Sequence, residues 1–143
     1  MELRTERLTL IPLDTSYIGR YHERECTYAE APWAEHGFGH WAIFDGGEFV
    51  GGAEVHFAHE GCDGIATDEV EVGWLIVESR HNEGIATEAM RAAIEDVWAR
   101  VGADHVTAYI EGDNPPSARV AEKLGLRPRS RDAKRTVYEL RAP

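Results

Sequence analysis

The chain has 143 residues, 29% of them charged, and a formal net charge of −11 at neutral pH. That length suits one domain around one core over residues 1–143, and no apolar run approaches the ~20 residues a membrane helix needs. So acidic a chain argues against generic nucleic-acid binding, which rests on Lys and Arg meeting phosphates, and favours a cationic partner such as a protonated amine.

The charge is uneven. Residues 1–118 carry 7 Lys/Arg against 23 Asp/Glu, whereas residues 119–143 carry 8 against 3. Charges from Glu2 onward do not suit a signal peptide. Cys26 and Cys62 are too few for a disulfide framework and suit free thiols in a reducing cytoplasm, where the protein is expected.

In chain order, Leu3 to Leu13 alternates imperfectly and predicts the first strand. Asp14 is placed to cap a helix carrying Tyr17, Ile18 and Tyr21 on one side. That helix fades around Cys26 to Glu30 and ends at Ala31-Pro32. Residues 33–38 have no usable period. Trp41, Ile43 and Phe44 predict a second strand, Asp45-Gly46-Gly47 a hairpin turn, and Glu48 to Phe57 the returning strand. Gly51-Gly52 inside it predicts a bulge or a close backbone approach. Residues 58–67 read as a polar loop.

The stretch from Asp68 to Met90 organises the rest: a strand, a tight glycine loop and a helix start. Val70, Val72, Trp74, Ile76 and Val77 form the β-branched and aromatic run of a central strand. Gly84 then opens a helix whose apolar positions, Ile85, Ala89, Met90, Ala93, Ile94, Val97 and Trp98, fall on one face. Such a junction leaves backbone N–H groups unpaired at the positive end of the helix dipole, which suits phosphate. Neither the dinucleotide G-x-G-x-x-G nor the P-loop pattern is present. Gly102 is the natural end of this helix. His105 to Glu111 is the next strand, Asn114 to Leu124 a helix closed by Gly125, and two strands follow, around Arg127 to Ser130 and over Thr136 to Leu140. Hairpins followed by β-α-β-α-β predict a mixed α+β sheet flanked by helices.

His81-Asn82-Glu83-Gly84-Ile85-Ala86 resembles the acetyl-CoA loop of the GNAT acetyltransferases, Gln/Arg-x-x-Gly-x-Gly/Ala, with Gly84 and Ala86 in the two small positions. The extension Thr87-Glu88-Ala89 resembles the branch of Rim-type ribosomal-protein N-terminal acetyltransferases. So do Thr5-Glu6-Arg7-Leu8-Thr9-Leu10, and Asp113-Asn114-Pro115-Pro116-Ser117 with Glu122-Lys123-Leu124-Gly125-Leu126. The resemblance runs from about residue 3 to residue 128. It implies a GNAT-like, mostly antiparallel mixed sheet flanked by helices, with a homodimer among the common assemblies. Residues 14–38 are shorter than is usual between the first two strands of this branch, where they form one wall of the acceptor site.

The resemblance also implies an N-acetyltransferase that moves an acetyl group from acetyl-CoA to a primary amine by direct attack in a ternary complex. The amine would be a protein N-terminus or a small molecule. The alternative is a non-catalytic module of the same fold that binds acyl-CoA or a small amine ligand. By the family pattern, the backbone of Asn82, Glu83, Gly84, Ile85, Ala86 and Thr87 holds the pyrophosphate. Leu75, Ile76 and Val77 pair with the pantetheine arm, and Asn114 binds that arm or caps its helix. His81 stands where Gln or Arg is usual. Glu83 would repel a pyrophosphate unless it swings into solvent; Arg80 either compensates or is a solvated surface arginine.

Catalysis needs a proton acceptor and a donor. Glu71 stands where several family members carry a basic strand glutamate, and partial burial would raise its pKa; otherwise it is a solvent-facing residue like Glu69. Glu54, His56 and Glu111 are its rivals. The family's usual acid, a Tyr seven residues after the Asn, is Ala121 here. In the Rim-type pattern Ser117, three residues after the Asn, is a candidate acid or else a helix-start hydroxyl; the other alternative is that the CoA thiolate leaves without enzymic help. No metal is expected: neither His56, His59 and Cys62 nor His22 and Cys26 match the usual paired-ligand spacing. Tyr17, Tyr21, Trp33 and Trp41 either wall the acceptor site or pack in the core.

Overall fold

The structure, a computed structural model, describes residues 1–13 and 33–143. Its strands are β1 (Leu3–Arg4), β2 (Leu8–Pro12), β3 (Trp41–Asp45), β4 (Glu48–Phe57), β5 (Val70–Ile76), β6 (His105–Glu111), β7 (Arg127–Arg131) and β8 (Arg135–Arg141). Among the described residues, helix α1 (Ile85–Asp96) lies between β5 and β6 and helix α2 (Pro115–Leu124) follows β6. The strands form one sheet in the order β1-β2-β3-β4-β5-β6-β8-β7. Every neighbouring pair is antiparallel except β5 and β6. The mixed α+β sheet expected from the element order, mostly antiparallel as the resemblance implies, is the one found.

The segment Leu3 to Leu13 is two strands rather than one. Thr5, Glu6 and Arg7 turn the chain so that Leu3 pairs with Leu10. The Thr5 amide donates to the Leu8 carbonyl and the Leu8 amide donates to the Thr5 hydroxyl, both at 2.9 Å, which closes the turn. The helix expected after Asp14, with Tyr17, Ile18, Tyr21, His22 and Cys26, lies outside the described residues. Residues 33–36 form one helical turn.

Period-two alternation sends Leu8, Leu10, Ile43, Val55, Val70 and Val72 into a core against Ile85, Ala89, Met90, Ala93, Ile94 and Val97 of α1. Burying each large aliphatic side chain contributes about 1.5–3 kcal/mol, which is what fixes α1 on the sheet. After Asp96 the helix widens into a π turn, Val97–Val101, and Gly102 ends it at φ +74°. Both readings of Gly51 hold. Val50 is an extra residue opposite β3, since Ile43 pairs with Gly51 and Phe44 with Phe49. A Cβ on Gly51 would lie 2.2 Å from the Leu75 carbonyl oxygen, so the backbones of β4 and β5 approach closely there.

β5 and β6 pair only at Val70–Val106 and Glu71–Thr107, then part. Near that junction the Arg129 guanidinium lies 2.6 Å from Glu69 and 3.0 Å from Glu139, and His105 Nε2 lies 2.7 Å from Glu69. Glu69, His105 and Glu139 are close enough to surround a cation; Arg129 supplies it. The expectation of Glu69 as a solvent-facing residue is corrected by these contacts. Hydrogen bonding to Arg129, foremost, lowers the Glu69 pKa to about 2. Asp104 and then Glu69 raise that of His105.

The two shifts have opposite consequences. The depressed Glu69 contributes stability above its ordinary value of 4.5, lost as pH falls toward about 2. The raised His105 contributes below its ordinary value of 6.5, lost as pH rises through the folded value. The network therefore supports the fold most between pH 4.5 and 6.5. Urea midpoints measured from pH 2 to 9 should show Glu69→Gln losing most, relative to wild type, inside that window. A difference independent of pH would refute this account.

Candidate functional site

The parting of β5 and β6 opens a cleft of ≈510 Å³ between the end of β5, the loop before α1 and the first turn of α2. It gathers Leu75, Ile76, residues 82–87, Asn114 and Ser117. Val77 and Glu71, also singled out in the sequence, do not line it.

The loop is built to leave amides unpaired. Asn82 and Gly84 take left-handed backbone angles, φ +64° and +76°, turning the chain sharply into α1. Gly84 is the N-cap, and having no side chain it caps nothing. The Glu88 amide is the first to reach back, 3.1 Å to the Gly84 carbonyl. The amides of Ile85, Ala86 and Thr87 thus begin the helix without carbonyl partners, at its positive end. That geometry suits an anion.

Glu83 lines the cleft with its carboxylate engaged. Arg80 holds its carboxylate at 2.9 Å and also grips Asp45 at 2.6 Å and Glu48 at 3.0 Å. Arg80 is therefore not a solvated surface arginine: it pairs with three carboxylates, that of Glu83 among them, and ties the β3–β4 turn to the loop. Its hydrogen bonds keep the Glu83 carboxyl below the ordinary value. Arg7 donates to the Glu83 carbonyl at 2.8 Å. The Thr5 hydroxyl and the Arg7 amide both donate to the Glu88 carboxylate. The Thr5–Leu10 motif and the Gly84–Ala89 motif thus touch. His81 Nε2 donates to the Ile76 carbonyl at 2.7 Å, a local bracing role.

The three β5 residues expected to meet the pantetheine arm divide. The Val77 amide already donates to the Val50 carbonyl at 2.9 Å. In an antiparallel ladder bonded positions alternate, so Leu75, paired with Gly52, also turns its backbone toward β4. The amides of Trp74 and Ile76 then face the other way, where β6 has departed. Leu75 instead offers its side chain, 47% exposed. Across the cleft, Asn114 caps α2, its Oδ1 accepting from the Ser117 amide at 3.3 Å, with Pro115 and Pro116 opening the helix. The Ser117 side chain is half-buried in the cleft wall.

Glu71 projects on the sheet face opposite α1. Its side chain is 16% exposed, with Oε1 3.6 Å from His56 Nε2, and its Oε2 is buried with no hydrogen-bond partner. Burial, foremost, pushes its pKa up; the charge of Glu54 adds to this and His59 opposes it. Glu54 reaches across from β4: a Cβ on Gly73 would lie 2.5 Å from its Oε2, so only glycine lets that carboxylate lie over β5. Glu111 is exposed at the end of β6.

Trp41 is 1% exposed, and Trp33 meets it edge-on at 4.8 Å, so both are core rather than acceptor wall. Tyr17 and Tyr21 lie outside the described residues. Sequence reasoning missed His40, which is 6% exposed, and whose pKa burial, foremost, lowers to about 3. Nothing in Gly39-His40-Trp41 announces it.

The model of the acetyltransferase (GNAT) domain family matches residues 7–127. A solved GnaT-family acetyltransferase from Bordetella pertussis superposes with a TM-score of 0.86 at 25% identity, covering 99% of each chain. RimL, a ribosomal L7/L12 alpha-N-protein acetyltransferase solved with coenzyme A, shares the fold with a TM-score of 0.78 at 15% identity over 99% of this chain and 98% of its own. An uncharacterized N-acetyltransferase, YnaD of Bacillus subtilis (strain 168), is 33% identical over 57 residues, 40% of this chain and 34% of that relative's length. The chain belongs to the GNAT acetyltransferase family.

Proposed function

We propose that the protein is an N-acetyltransferase that transfers the acetyl group of acetyl-CoA to a primary amine, either a protein N-terminus or a small molecule. The observation that carries the proposal is the uncapped start of α1, three partnerless amides beside a strand whose neighbour has turned away. The amides of Ile85, Ala86 and Thr87 hold the pyrophosphate. The pantetheine arm lies along β5, where the amides of Trp74 and Ile76 can accept it as a neighbouring strand would. One of those N–H groups faces the thioester oxygen and stabilises the charge that develops there.

The amine arrives as an ammonium ion. Glu71, ionised but weakly solvated, takes one proton and frees the nitrogen lone pair. Nitrogen then attacks the thioester carbon, the C–N bond forms, and the C–S bond breaks with its electron pair leaving on sulfur. A second nitrogen proton ends on that sulfur, with Ser117 as the donor that the resemblance offers. The balance is one thiol and one released proton for each amide made.

Titration calorimetry with acetyl-CoA, followed by thiol release against a panel of amines and N-terminal peptides, tests the reading. Micromolar binding with amine-dependent thiol release is expected. Binding without release would favour the non-catalytic module, and no binding at millimolar acetyl-CoA would defeat both.

A further inference from the structure

Taking Glu71 as the base, we infer that His56 relays its proton to solvent. The argument starts from a difficulty: a buried carboxyl that has accepted a proton must lose it before the next turnover. The side chain is 16% exposed and its inner oxygen has no partner. Among the described residues the groups around it are few. β4 brings Glu54 and His56, the following loop brings His59 and Cys62, and β6 brings Thr107.

Of these, His56 is set up to receive. Its Nδ1 lies 2.7 Å from the Phe57 carbonyl oxygen. A carbonyl can only accept, so Nδ1 carries the hydrogen and the neutral ring keeps its lone pair on Nε2. That atom faces Glu71 Oε1 at 3.6 Å, a gap that a small side-chain rotation closes; unliganded sites commonly hold such pairs loosely. Thr107 cannot compete, because its hydroxyl is buried and donates to the Val70 carbonyl at 3.1 Å.

The exit is also present. The His56 side chain keeps 11% of its surface exposed, and the exposed His59 ring stacks on it with centroids 4.7 Å apart and planes 20° apart, so the relay lies one ring below water. On the other side His40, 5.3 Å away, stays neutral, so it sets no positive charge against a transient imidazolium. In one cycle the ammonium proton passes to Glu71 Oε1, from there to His56 Nε2, and from that same Nε2 to water once the carboxylate has swung back, while the Nδ1 hydrogen stays hydrogen-bonded to the Phe57 carbonyl. Both residues return to their starting state, and no other reactant is needed.

The test uses His56→Ala with and without added imidazole, beside Glu71→Gln, with acetyl-CoA affinity measured on each. The expected result is a fall in kcat of about tenfold in His56→Ala, with acetyl-CoA affinity unchanged. Imidazole should restore turnover there and leave Glu71→Gln inactive. His56→Gln, close in size and without a base, should show the same fall if the alanine variant folds poorly. A folded variant that binds acetyl-CoA and keeps full turnover, or loses turnover without imidazole rescue, overturns the relay. Full activity in Glu71→Gln overturns the base assignment instead, and absence of acetyl-CoA binding by the wild type overturns the function itself.

Discussion

Glu71→Gln should lower kcat/KM for the amine by a hundredfold or more, on the order of what a positioned general base supplies, and leave acetyl-CoA affinity intact. The affinity should survive because the carboxylate stands on the sheet face away from α1, outside the cleft that gathers residues 82–87. The pH profile carries the sign. Burial raises the Glu71 pKa above its ordinary 4.5, so wild-type kcat/KM should fall on the acid side at a pH above that value. The Gln variant, with nothing to protonate, should lack that limb.

Stability should move in the opposite direction. A carboxyl whose folded pKa is raised costs stability once pH exceeds its unfolded value. The Gln variant should therefore unfold at higher urea than wild type at pH 8, with the gap closing toward pH 4. Loss of activity with gain of stability marks a functional charge kept against the interest of the fold. Unchanged turnover would remove Glu71 from the mechanism.

The second large effect comes from Gly51→Ala. The new methyl would sit 2.2 Å from the Leu75 carbonyl oxygen and 2.9 Å from the Ile76 Cα, both backbone atoms that no rotamer change can move aside. Relief requires β4 and β5 to separate, at a cost of about 3 kcal/mol, the upper end of ordinary overpacking. The strand displaced is the one whose Trp74 and Ile76 amides face the cleft, so acetyl-CoA affinity should fall along with the urea midpoint. A variant as stable as wild type would show that the close approach is slack.

How far this could be read beforehand depends on the range of the interaction. α1 was legible because one helical face repeats locally: Ile85, Ala89, Met90, Ala93 and Ile94 are the buried residues of the helix. The Asp45-Gly46-Gly47 turn, the Gly102 and Gly125 ends and the Asn114 cap were equally local. What stayed hidden needs partners far apart in the chain. Glu83 reads as a misplaced charge until Arg80 is seen joining it to Asp45 and Glu48 on the β3–β4 turn. Glu69 looks solvated until β6, β7 and β8 bring His105, Arg129 and Glu139 beside it. Val77 looks interchangeable with Ile76, since nothing in an apolar run tells which amides the ladder has already used. The break of Leu3–Leu13 into two strands is an intermediate case, because its Thr5–Leu8 bonds are local but lack the usual glycine or proline signal.

The parting of β5 from β6 gives the sheet two inner edges besides its outer ones, and the chain treats them differently. Outer edges invite pairing with other molecules, and proteins blunt them. Here β1 has only two residues, and β7 carries Pro128, a register shift beside it, and Arg127, Arg129 and Arg131. The inner edge of β5 has no such guard: it presents bare amides beside the exposed Leu75. A ligand lying there does for the sheet what a ninth strand would. It should slow amide exchange along β5 and protect the protein against self-association, so that the empty form is the one prone to aggregate.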